Sequence, residues 1–154
     1  MKTKKVAFLG MCIALSMILS FVESQIPPLT AVPGVKMGLP NIVMVFMLYK
    51  VGAKETAIVS ILRVILVGIL FGTPLSMIYS LVGAALSLIG MILLKKTNLF
   101  APVTVSVAGG ILHNIGQIAT ACLVMETAQI AYYLPVLLIS GTIAGILIGL
   151  CAAM

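Results

Sequence analysis

Aspartate is absent from the 154-residue sequence, and the acidic side chains are three glutamates, Glu23, Glu55 and Glu126. Without aspartate there is no aspartate-rich magnesium site of the kind that grips a diphosphate substrate. There is one histidine, His113, and no nucleophile stands at a suggestive spacing beside it. A P-loop, an HExxH helix and a GxSxG elbow are all missing. Catalysis by this chain alone is therefore not expected, nor is ATP hydrolysis, and no cofactor is called for. Charge of either sign is scarce: charged residues make up 8% of the chain, where a soluble domain averages about 25%.

Apolar side chains fill the space that charge leaves, at 62% of the residues. A soluble fold of this size has too little interior to hide them, so the composition describes an integral membrane protein. The net charge of +6 does not point to nucleic acid. Its basic residues sit in pairs and triplets between apolar runs, which is a topological pattern. Cys12, Cys122 and Cys151 lie far apart inside apolar runs, with no CxxC and no metal-ligand spacing. They read as small apolar packers, and no metal is expected. The opening MKTKK followed by an apolar run resembles a signal peptide, but no small-residue cleavage site follows, so a retained first helix is expected.

The hydrophobic pattern predicts an all-α, polytopic bundle of six transmembrane helices in a single membrane domain. The helices fall at about 5–22, 37–49, 55–71, 75–94, 101–125 and 132–152. Six crossings put both termini on one side. Lys2, Lys4, Lys5, Lys50, Lys54, Lys95 and Lys96 then share that side, seven of the nine basic residues. By the positive-inside rule it is the cytoplasmic side of a bacterial cell membrane. Lys36 and Arg63 are the exceptions, and no topological rule explains them.

The second helix carries the most unusual approach. Residues 33–41 read PGVKMGLPN, a Pro- and Gly-broken loop with Lys36 in it and Asn41 at its end. The helix that follows is about 20 Å long, against about 30 Å of bilayer core. Broken backbone at membrane depth is tolerated where it lines a site or is packed in protein. Pro40 is expected within the first turn of this helix.

Polar residues elsewhere run in stripes. Ser16, Ser20 and Glu23 share a face of the first helix, as Thr56, Ser60 and Arg63 do on the third. Ser76, Ser80, Gly83, Ser87 and Gly90 mark the fourth helix, where small residues suit close helix packing. Thr73-Pro74 reads as a cap followed by a first helical residue. His113, Asn114 and Gln117 fall within five residues of the fifth helix, and Gly141, Gly145 and Gly149 repeat on the sixth for packing within the chain or against another subunit. Arginine at mid-membrane costs at least about 2.5 kcal/mol, so Arg63 needs a partner or an aqueous cavity. Glu23, Glu126 and an anionic ligand are all candidate partners. Glu23, at the far membrane surface, is equally at home in water or in a site. Together Lys36, Asn41, Arg63, His113, Asn114, Gln117 and Glu23 form a candidate site for a small ligand with carboxylate or phosphate character.

The six-helix plan, the PGVKMGLPNIV stretch at residues 33–43, the Arg63 helix and the His113-Asn114 pair resemble the Gx transporter family, also labelled heptaprenyl diphosphate synthase component I. Through it the chain resembles the substrate-binding S components of energy-coupling factor (ECF) transporters. That resemblance implies capture of a micronutrient from outside, in a cavity shaped by the loop after the first helix. It also implies docking on a transmembrane T component served by two cytoplasmic ATPases. The docking face would use small residues of the first helix, here Ala7, Gly10 and Ala14, a pattern only partly kept. The synthase label implies instead an accessory membrane role in isoprenoid or quinone metabolism.

Overall fold

The computed structural model describes residues 2–25 and 38–153. Lys36, Met37 and the loop from residue 26 lie outside the described residues. All the regular elements described are helical: α1 Lys2–Gln25, α2 Asn41–Lys50, α3 Ala53–Phe71, α4 Pro74–Lys96, α5 Pro102–Val124 and α6 Leu134–Ala153, with a 3-10 turn at Ala128–Tyr133 before α6. Among the described residues four stretches are long and apolar enough to cross a membrane: Thr3–Gln25, Pro74–Lys96, Pro102–Val124 and Ala128–Ala152. α3 carries Lys54, Glu55 and Arg63 within its 19 residues, and α2 is only 10 residues long.

The distribution of side chains is inverted relative to a soluble protein. Ile69, Leu123, Ile139 and Leu147 are exposed, whereas Ser16, Ser20, Glu23, Thr56, Ser60, Arg63 and Gln117 are buried. Water would reject that outer surface, and lipid accepts it. The chain is membrane-embedded and all-helical.

Each helix starts and stops where its sequence allows. The Thr73 hydroxyl accepts from the Ser76 N–H at 3.1 Å while Ser76 Oγ accepts from the Thr73 N–H at 3.0 Å, and Pro74 occupies the first helical position. This capping box permits the reversal between α3 and α4 at Gly72. Pro40 stands immediately before α2 rather than inside its first turn. The Asn41, Ile42 and Val43 amides bond to the Gly38, Leu39 and Pro40 carbonyls, so a tight turn leads into the helix. The α5 end closes on a left-handed residue, Glu126 at φ 49°, with the Thr127 N–H returning to the Cys122 carbonyl at 3.2 Å.

Glycines set the helix spacing. A Cβ on Gly145 would stand 2.6 Å from Val107 Cα, one on Gly149 2.6 Å from Val103 Cα, and one on Gly141 3.3 Å from the Gly110 carbonyl oxygen. The α6 glycines thus pack internally, on α5. The α4 stripe divides: Gly83, Ser87 and Gly90 lie against α5 at His113, Gly109 and Leu112, while Ser76 and Ser80 face a cavity. In lipid, such close approach supplies the van der Waals contact that the hydrophobic effect cannot.

α2 occupies the middle. All five of its core residues are buried: Val43, Met44 and Met47 pack with Cys12 and Val59, and Val45 and Leu48 with Met91, Val105 and Ile148. At 1.5 Å per residue it spans about 15 Å, half a bilayer core. Its far end reaches the lysine-bearing end of the bundle, where Lys95 Nζ donates to the Leu48 carbonyl and lies 4.9 Å from the centre of the Tyr49 ring. Lys5 and Glu55 pair there at 2.5 Å, joining the starts of α1 and α3. The other end of α2 opens on the cavity.

Candidate functional site

Arg63 sits ten residues into α3, about 15 Å from its start, so it lies near mid-depth. Its side chain is 7% exposed and lines a cavity between α1, α3, α4, α5 and the turn before α2. Glu23, Asn41, His113 and Gln117 line the same space. Five residues singled out from the sequence on four different helices therefore converge. The cavity has a volume of about 40 Å³, room for about three waters at roughly 10–15 Å³ each.

Glu23 is the carboxylate whose charge acts on Arg63. Its Oε1 also accepts the Gly38 N–H at 2.5 Å. Gly38 has φ +84°, a left-handed value that favours glycine, and a Cβ there would stand 3.0 Å from Asn41 Nδ2. One carboxylate thus attracts the buried guanidinium and holds the turn that starts α2. Glu126, the other candidate partner, is exposed at the C-terminal end of α5 and does not line the cavity.

The polar groups of the cavity are not used up. Arg63 Nε and both amide atoms of Gln117 lack a hydrogen-bond partner among the described residues. Gln117 is 4% exposed. Buried polar atoms are nearly always paired, so three orphans in one cavity point to water or a ligand. The N-terminal end of α2 faces the same space through Gly38, Pro40 and Asn41, adding the positive end of a helix dipole.

Asn114 serves differently. Its Nδ2 donates to the Leu137 carbonyl at 2.7 Å, tying α5 to α6. It lines a smaller space of about 10 Å³ between α2, α4, α5 and α6, which His113 and Asn41 also touch. Among the described residues no three His, Cys, Asp or Glu side chains gather as a metal site.

The family model of heptaprenyl diphosphate synthase component I matches residues 12–154. The chain belongs to that family. No curated protein and no solved structure matches it. In this family member the match covers every residue of the cavity, from Ser20 to Gln117.

A second feature of this component I chain faces lipid. Ala14, Met17, Ile18, Phe21 and Phe71 line a wholly apolar groove of about 440 Å³ between α1 and α3. The Phe21 and Phe71 ring centres are 5.2 Å apart at its edge. Ala7, Gly10 and Ala14 are all exposed on α1, and a Cβ on Gly10 would meet nothing within 4 Å.

Sequence reading missed several lining residues: Ser20 as a cavity residue, Gly68 and Gly72 on the α3 side, and Ser76, Met77 and Ser80 on α4. Ser76 and Ser80 carry the same stripe as the packing glycines. The signal that separates them is position, since they lie toward the Thr73 end, level with Gly72 rather than with the glycines of α5.

Proposed function

We propose that this chain is the membrane-embedded binding subunit of an importer, of the S-component kind used by ECF transporters, and that it captures a small anion. The observation that carries this reading is Arg63: a buried cation in a polar cavity, with Glu23 as its counter-charge and a hydrogen-bonding atom to spare. A carboxylate or phosphate meets that need better than a neutral molecule, because charge-assisted hydrogen bonds to guanidinium are strong and directional. The reading places six crossings in the membrane, with the lysine-bearing end in the cytoplasm and the cavity toward the outside. The chain itself is not a catalyst, and energy comes from two cytoplasmic ATPases acting through a T component that docks on Ala7, Gly10 and Ala14. The 40 Å³ space is then a closed, ligand-free state, and the Gly38–Asn41 turn is the element that must move.

A second reading is an accessory membrane component in polyprenyl diphosphate or quinone metabolism. The wholly apolar groove at Phe21 and Phe71 favours it, as does membership of a family described as heptaprenyl diphosphate synthase component I. Purification from the native membrane in mild detergent separates the two. Recovery of two ATPase subunits and a membrane partner supports capture and import. Recovery of a soluble prenyl-transferring chain in fixed proportion overturns it in favour of the accessory role.

A further inference from the structure

Gln117 asks for more than an anion. Its side-chain amide is a two-donor, one-acceptor group, it is 4% exposed, and neither its nitrogen nor its oxygen has a partner among the described residues. It lines the cavity beside Arg63. Gly83 of α4 lies so close that a Cβ would stand 3.0 Å from Gln117 Cγ. The stem is therefore packed against α4, and both amide atoms are buried at the wall of the cavity rather than at the outer surface.

The two groups make different demands. The guanidinium offers only donors, so it takes an acceptor, best a negative one. The amide offers a donor and an acceptor side by side, so a purely anionic ligand leaves Gln117 Oε1 unpaired. A neutral edge that also presents both, such as a carboxamide, lactam or ureido group, satisfies both atoms at once. Leaving a buried polar group unpaired is what makes a hydrogen-bonding site reject an analogue that lacks the matching group.

We infer that the ligand of this cavity is a small acid carrying a neutral amide-type edge, its anion held at Arg63 and its amide edge at Gln117. This rests on the capture reading and narrows it from any anion to one chemical class.

The test is a matched series of probes bound to the full-length protein in detergent, measured by calorimetry. Malonamate, succinamate and glutaramate each carry one carboxylate and one carboxamide. Their apolar twins, 3-methylbutanoate, 4-methylpentanoate and 5-methylhexanoate, keep the carboxylate and replace the carboxamide by an isopropyl group of similar shape. The three chain lengths sample the distance between the two groups. One half-amide is expected to bind about tenfold or more tightly than its twin. That preference should vanish in Gln117→Leu, and Arg63→Gln should weaken half-amide and twin alike. If acids bind through Arg63 but each half-amide and its twin bind equally, the capture reading stands and the amide edge is overturned. If no acid binds in an Arg63-dependent way, both fall together. The comparison of twins uses the unaltered protein, so it decides the question even where a variant does not fold.

Discussion

The Glu23 carboxylate accepts the Gly38 N–H at 2.5 Å and also supplies the charge that faces buried Arg63. Removing the counter-charge of a buried guanidinium leaves that charge less compensated, which is destabilising. Glu23→Gln is therefore expected to lower the thermal midpoint of the detergent-solubilised protein sharply. Glu23→Gln combined with Arg63→Gln should recover much of that loss, since no charge is then left stranded. Equal midpoints for the single and double variants would show that Arg63 draws its compensation elsewhere.

Asn114 stands next to His113 in sequence, yet its amide is committed to the Leu137 carbonyl. Asn114→Leu should cost about 1–2 kcal/mol of stability and leave anion affinity within about twofold. Gln117→Leu should do the reverse, lowering affinity for a half-amide acid with little change in thermal midpoint. Binding isotherms and melting curves on the two variants separate the roles.

The glycines make opposite forecasts on two helices. Gly145→Ala places a methyl group 2.6 Å from the Val107 backbone, so α5 and α6 must part, at about 1–3 kcal/mol. Gly10→Ala meets nothing within 4 Å and should be neutral or stabilising by up to about 1 kcal/mol, because alanine is the better helix former. Melting curves of both proteins check the contrast. If Gly10→Ala folds normally but the chain no longer co-purifies with its membrane partner, the exposed α1 face is a docking face.

The Lys5–Glu55 pair gives a pH dependence. A hydrogen bond from the Lys5 ammonium holds the Glu55 carboxyl below the usual carboxylate range. A depressed carboxyl contributes stability that is fully present above its unfolded value. That contribution is lost as pH falls through the lower folded value. The midpoint of the wild-type protein should therefore decline below about pH 4.5 more steeply than that of Glu55→Gln. High salt should shrink the difference, since the pair is exposed.

Much of the site was legible because polar residues in an apolar chain stand out. Arg63, Glu23, His113 and Gln117 each violate the composition around them, and lipid leaves such residues few places but the interior. Helical spacing then put Thr56, Ser60 and Arg63 on one buried face. What was hidden depends on orientation. Asn114 is one residue from His113, a rotation of about 100° along the helix, and that rotation turns it toward α6. Ser80 and Ser87 belong to one stripe, but only the depth of the facing glycines on α5 decides which one packs and which one lines the cavity. The start of α2 at Asn41, four residues later than the hydrophobic run suggested, reflects Gly38 and Pro40, which build a turn where a continuous helix was expected. The glycines of α6 pack on α5 because Gly110 and the Val103 and Val107 backbone offer a surface flat enough to receive them, which periodicity alone does not show.

The most direct measurement is native mass spectrometry of the protein purified from its own membranes, with chemical identification of any small molecule that leaves with it. If Arg63 holds an anionic ligand, the wild-type protein carries a small acid and the Arg63→Gln protein, folded by its melting curve, carries none. An identical ligand load in the two proteins, or a bound polyprenyl species in place of a small acid, would contradict the assignment of this cavity to anion capture.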